Sequence, residues 1–127
     1  MANPSTTGPS GIGTEVLRRK TIQHGTASTN SGRATLITVG TDMIVTVLSI
    51  IITNQSGSAG REFDIEYLTD GDASEPIMVL NNVPIAASGG TFVFNDKFVM
   101  TETDVLKIVC DSTHWDVICS YIEQEFE

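Results

Sequence analysis

Met43–Asn54, MIVTVLSIIITN, is the stretch whose reading decides the fold. Its β-branched and aliphatic residues fill both alternating sets, with Met43, Val45, Val47 and Ile51 on one parity and Ile44, Leu48, Ile50 and Ile52 on the other. A run of this composition reads as a strand, and apolar residues on both faces predict a central strand. One face meets an opposing sheet, and the other is covered by a neighbouring element, a terminal segment or another subunit. Thr46 and Ser49 interrupt the run, and it falls far short of the roughly 20 apolar residues that a membrane helix requires.

Working outward, short bursts of β-branched and aromatic residues recur, separated by turn chemistry roughly every 8 to 12 residues, as in a sandwich or barrel. Residues 34–39 are expected as a strand closed by Gly40-Thr41-Asp42, and Gln55 to Gly60 as a loop. Arg61–Leu68, REFDIEYL, alternates cleanly, with Phe63, Ile65 and Tyr67 inward and Glu62, Asp64 and Glu66 outward. A polar turn at 69–76 leads to a strand at 77–80, with Pro84 marking an edge or strand end. Strands follow at 91–95 and Phe98–Met100. Residues 105–110 and 115–122 are expected to pair as a hairpin across 111–114. No stretch has the period of an amphipathic helix. The expected fold is an all-β antiparallel sandwich, jelly-roll or Ig-like, of about seven to eight strands.

Charge divides the chain. Residues 1–33 hold Arg18, Arg19, Lys20 and Arg33 against Glu15, a net +3; residues 34–127 hold Arg61, Lys97 and Lys107 against fifteen acids, a net −12, giving −9 in all. The opening MANPSTTGPSGIGTE is too poor in apolar residues to fold by itself. It reads as an extended arm over 1–33, ordered by a partner and attached to a sandwich over 34–127. An acidic body repels phosphate backbones, which argues against nucleic acid as a partner. The polar amino terminus lacks the apolar segment of a secretion signal, so none is expected, and no membrane association is either.

The candidate chemistry is thin. Cys110 and Cys119 lack the spacing of a zinc site and read as buried, reduced thiols. Asp70, Asp72 and Glu75 could cup a calcium ion, but Asp-Gly is turn chemistry in its own right and the full calcium-loop spacing is missing. His24 and His114 stand far apart, and no GxSxG elbow occurs. Gly11-Ile12-Gly13 follows no strand and is arm flexibility rather than a dinucleotide loop. Trp115 reads as core filling in preference to an exposed stacking platform. No cofactor, metal or enzymatic activity is expected.

The phrases IVTVLSIIITNQ at 44–55, GTEVLRRKTI at 13–22 and FVFNDKFVMTETDVLKIVCDSTHWDVICSYIEQ at 92–124 resemble small β-sandwich virion structural proteins of tailed bacteriophages, especially phages of marine bacteria and cyanobacteria. That resemblance implies a non-enzymatic virion protein with no catalytic residues to carry over. The leading expectation is a capsid decoration or cement protein whose arm contacts neighbouring subunits. A neck or tail accessory protein, or a receptor- or carbohydrate-binding module of a tail fibre built on Trp115, Tyr67 and the loop at Asp70, is the alternative. The expected partners are the major capsid protein or other virion proteins and further copies of the chain, as a trimer. The expected partner-binding residues are Arg18, Arg19, Lys20, Ile22 and Arg33, with the virion as the location.

Overall fold

β-branched runs become strands throughout the computed structural model, which describes residues 15–23, 33–57, 60–110 and 115–125. Nine strands form: β1 Glu15–Ile22, β2 Arg33–Thr38, β3 Met43–Asn54, β4 Arg61–Leu68, β5 Ile77–Ile85, β6 Gly90–Phe94, β7 Phe98–Met100, β8 Val105–Cys110 and β9 Trp115–Glu125. They build two antiparallel sheets. Sheet A runs β1-β9-β3-β6, with β7 also paired to β3; sheet B runs β2-β8-β4-β5. Because β6 and β7 lie in line along β3, the nine segments fill eight strand positions. The chain passes from sheet to sheet at almost every connection, which is the wiring of a jelly roll and not of an immunoglobulin sandwich.

Inward-facing side chains of the two sheets form one core. Val45, Val47, Ile50 and Ile52 of β3 and Trp115, Val117 and Cys119 of β9 meet Phe63 and Ile65 of β4 and Leu106, Ile108 and Cys110 of β8. Phe63 sits edge-on to Phe92 and Trp115, with ring centroids 5.5 and 5.9 Å apart, at one end of the core. Tyr67, Phe98 and Phe94 form a second aromatic run towards the other.

A single polar side chain fastens each end. Asn54 is fully buried; its amide donates to the Ile85 carbonyl at 3.2 Å and its oxygen accepts the Ser56 N–H at 2.9 Å, joining the β3–β4 and β5–β6 connections. Gly90 begins β6 beside that junction, where any Cβ would collide with the Ala86 backbone, so the position accepts only glycine without movement. Asp104 does the same work at the opposite end. Only 3% exposed, it accepts hydrogen bonds from the Tyr67 hydroxyl, the Asp70 N–H (3.0 Å), and the Thr101 N–H (3.0 Å) and hydroxyl (3.2 Å). Its own backbone exchanges bonds with Val39 and Thr101, so the turns after β2, β4 and β7 converge on one residue.

Two sequence expectations are corrected. β8 and β9 are not a hairpin: Cys110 pairs with Phe63 in sheet B and Trp115 with Asn54 in sheet A. Both segments are apolar enough to be central strands of different sheets, and the short link between them fits a crossover as well as a turn. Within the stretch 1–33 expected as an arm, Glu15–Ile22 is an edge strand of sheet A, in register with Val117 to Gln124 of β9. An edge strand that covers the end of the core needs few buried residues. β1 supplies one, Ile22, and its basic run hides the alternation. Residues 1–14 lie outside the described residues.

Burial raises the Asp104 carboxyl pKa, but the hydrogen bonds from Tyr67, Asp70 and Thr101 outweigh it and hold the group below the usual aspartate value. Its stabilising contribution is therefore complete above the unfolded value of about 4 and is lost as pH falls through the lower folded value. Asp104→Ala, which strands several donors, is expected to cost roughly 3 kcal/mol in urea unfolding at pH 7. Asp104→Asn should flatten the decline in melting temperature below about pH 4. An unchanged acid limb in Asp104→Asn would show that this carboxylate does not carry the pH dependence.

Candidate functional site

The outward faces of the two sheets differ sharply in chemistry. On sheet B the outward positions include Arg33, Asp64, Glu66 and Lys107. Arg33 pairs with Glu66, which is 5% exposed beneath it, and Asp64 accepts the Asn82 N–H at 2.6 Å. On this face Arg33, Glu66 and Asp64 thus find partners within the chain.

Sheet A carries apolar rows on its outer side as well as its inner one. The register aligns Leu17, Ile122, Thr46 and Val99 in one row across β1, β9, β3 and β7. A second row holds Thr21, Ile118, Ile51 and Val93 across β1, β9, β3 and β6. Leu17 is 65% exposed, Val99 56%, Val93 49% and Ile118 42%. Of the six exposed large hydrophobic residues among the described ones, four thus share a single face. Scattered apolar side chains on a surface need no explanation, but here they gather on one sheet, in two rows on either side of Arg19, Ser120 and Ser49, as on a contact surface. The outward charged residues on these strands are Glu15, Arg19 and Asp116, the last accepting a hydrogen bond from Gln55.

The expected partner-binding residues separate in space. Ile22 is buried in the chain's own core at 6% exposure. Arg33 lies on sheet B, engaged with Glu66. Arg18 points to the opposite side of β1 from Leu17 and pairs with Glu123 of the same chain at 3.2 Å. Arg19 and Lys20 are exposed, and of these five only Arg19 faces the apolar rows. The residues that form the rows were legible in part. Taking Val117, Cys119 and Tyr121 as one face of β9 leaves Ile118 and Ile122 on the other, and β3 carries apolar residues on both parities. What could not be read was that β1, β6 and β7 would extend these rows.

Other candidate chemistry does not assemble among the described residues. Asp70 accepts the Thr103 hydroxyl at 2.6 Å, tying the turn after β4 to the turn after β7, while Asp72 accepts the Ser74 N–H and hydroxyl at 2.9 and 2.6 Å within its own turn. No group of three His, Cys, Asp or Glu side chains there could hold a metal ion. Trp115 is fully buried, and the Tyr67 hydroxyl is committed to Asp104, so the expected platform of Trp115, Tyr67 and the Asp70 loop is not presented together. Tyr67 does line an open groove of about 400 Å³ between β5 and the β6–β7 edge, with Ile77, Phe94 and Phe98. His24 and His114 lie outside the described residues.

Cys110 and Cys119 are buried and not joined in a disulfide, one on each sheet. Burial pushes the Cys119 thiol up to about 12, far from a reactive thiolate. In the native protein a maleimide should label neither cysteine, and both should react on unfolding. Cys119→Ala is expected to lower stability by about 1 to 2 kcal/mol through lost packing. Rapid labelling of either thiol in the folded state would contradict the burial.

Neither a family model nor a curated protein matches the chain. Among solved structures it is similar to a subunit of Bacillus endospore appendages, described as a novel family of disulfide-linked pili, at TM-score 0.51 and 14% identity over 94% of this chain and 96% of that one. It is also similar to a chain of infectious bursal disease virus, Gx strain (TM-score 0.49, 13% identity, 87% of this chain), and to a pentameric capsid protein from metagenomic phage sequences (TM-score 0.44, 13% identity, 86% of this chain). The chain spans 33% of the bursal disease virus chain and 61% of the phage capsid chain. At these identities the likeness shows the fold alone.

Proposed function

We propose that this chain is a non-enzymatic structural subunit that works by associating with other subunits, in a virion, as a capsid decoration or cement protein. The observation that carries the reading is the outer face of sheet A, where Leu17, Val93, Val99 and Ile118 stand exposed beside half-buried Ile44, Ile51 and Ile122. The phage-protein resemblance of its strand phrases supports placing that assembly in a virion. Residues 1–14, rich in Pro, Gly, Ser and Thr, suit an arm laid along a neighbouring subunit. A neck or tail accessory ring rests on the same physics.

A second reading, a subunit of a surface appendage, is favoured by one observation: the likeness to the endospore pilus subunit extends over nearly the full length of both chains. In either setting the chain's work is done by its surfaces.

The test is the mass of the purified chain by light scattering over a dilution series, for the unsubstituted protein and for Ile118→Glu. Ile118 is 42% exposed, so the substitution is tolerated by the fold while placing a charge in the middle of the face. The expected outcome is an oligomer that falls to monomer in the variant, with unchanged circular dichroism. An unsubstituted chain that stays monomeric at the highest concentration would remove self-association. Incorporation of Ile118→Glu into purified particles at undiminished occupancy would remove this face from assembly altogether.

A further inference from the structure

We propose that the outer face of sheet A is covered by the same face of a second copy, related by a two-fold axis that runs parallel to the strands between β9 and β3. This rests on the reading of the chain as an associating subunit and names its partner at that surface.

Charge selects the occupant. Each copy carries a net −9, so two copies repel wherever their acidic surfaces approach. Between Glu15 and Asp116 the outward side of sheet A offers Arg19 and otherwise uncharged residues. This is a surface on which like copies can meet without stacking carboxylates, whereas a cationic partner would be drawn to the acidic remainder.

Symmetry then follows from the two rows. A two-fold parallel to the strands lays each row on itself in reverse order. Leu17 on one edge of the sheet, 65% exposed, meets Val99 on the opposite edge, 56% exposed, and Ile118 meets Ile51 near the axis. In this isologous arrangement each contact is made twice. A two-fold across the strands, centred to stack one row on the other, would instead set Arg19 against Arg19. Two sheets packing face to face keep their strands nearly aligned and about 10 Å apart, which the parallel axis provides. Four strand positions about 4.8 Å apart and eight residues of rise give a face of about 500 Å² per copy, or about 1,000 Å² for the pair, the lower bound for a specific interface.

The experiment uses full chains carrying Leu17→Cys or Val99→Cys, treated with a short bifunctional thiol reagent; the native Cys110 and Cys119 are buried. An equimolar mixture of the two variants, and the doubly substituted chain, should form a covalent dimer. Neither single variant alone should do so, because its two thiols lie about 14 Å apart across three strand spacings. Sedimentation of the unsubstituted chain should give a dimer mass. Cross-linking of Leu17→Cys to itself, or a trimer mass, would overturn this pairing while leaving the associating subunit intact. A chain that is monomeric at every concentration would overturn both.

Discussion

The pairing of β3 with β9 is the constraint on which the rest of the molecule depends. Met43 to Asn54 runs antiparallel to Trp115 to Glu125 along its whole length, with one bulge between Val47 and Ser49. These are the two longest strands, and they occupy the centre of sheet A. β1 attaches to the far side of β9, and β6 and β7 attach in succession along β3. Their inner sides supply a continuous wall from Val45 to Trp115 against which sheet B closes. A one-residue slip here would turn that wall outward, so the bulge and the buried Asn54 at the end of β3 fix more than local geometry.

The polar groups that remain inside are few and placed where connections meet. Asn54 and Asp104 each satisfy several backbone groups that the tight turns leave without strand partners. The core between them can then be almost wholly apolar. Outside, the two faces differ: sheet B carries the Arg33–Glu66 ion pair, while sheet A leaves Leu17, Val93, Val99 and Ile118 exposed.

Much of this was legible in the chain. Both parities of β3 carry apolar residues, and that pattern placed it at the centre of a sheet. The clean alternation of Phe63, Ile65 and Tyr67 placed β4. The sandwich class followed from the spacing of turns, but a strand pattern records which face is inward, not which sheet a strand joins. That is why residues 105–110 and 115–122 read as a hairpin although they face each other across the core. β1 was masked for a different reason. Three consecutive basic residues suit an edge strand, where charge discourages unwanted pairing, yet they look like a solvated tail when read alone. The expected site residues suffered from the same confusion: Ile22 belongs to the core, and Arg18 and Arg33 have partners within the chain. Glu66 was expected in water and is instead covered by Arg33, a pairing between residues 33 positions apart that no local pattern encodes.

The near absence of charge from the outer side of sheet A has a thermodynamic corollary. Any contact made through Leu17, Val99, Ile118 and their row neighbours would draw on the hydration of aliphatic surface, whose transfer out of water carries almost no enthalpy near room temperature and a negative heat capacity. Such a joint weakens on cooling. An assembly held through this face gains cohesion as it warms towards the temperature at which its own sandwich begins to melt. The lower working limit of such an assembly would lie in the cold, at the joints between subunits, and its upper limit in the core within each one.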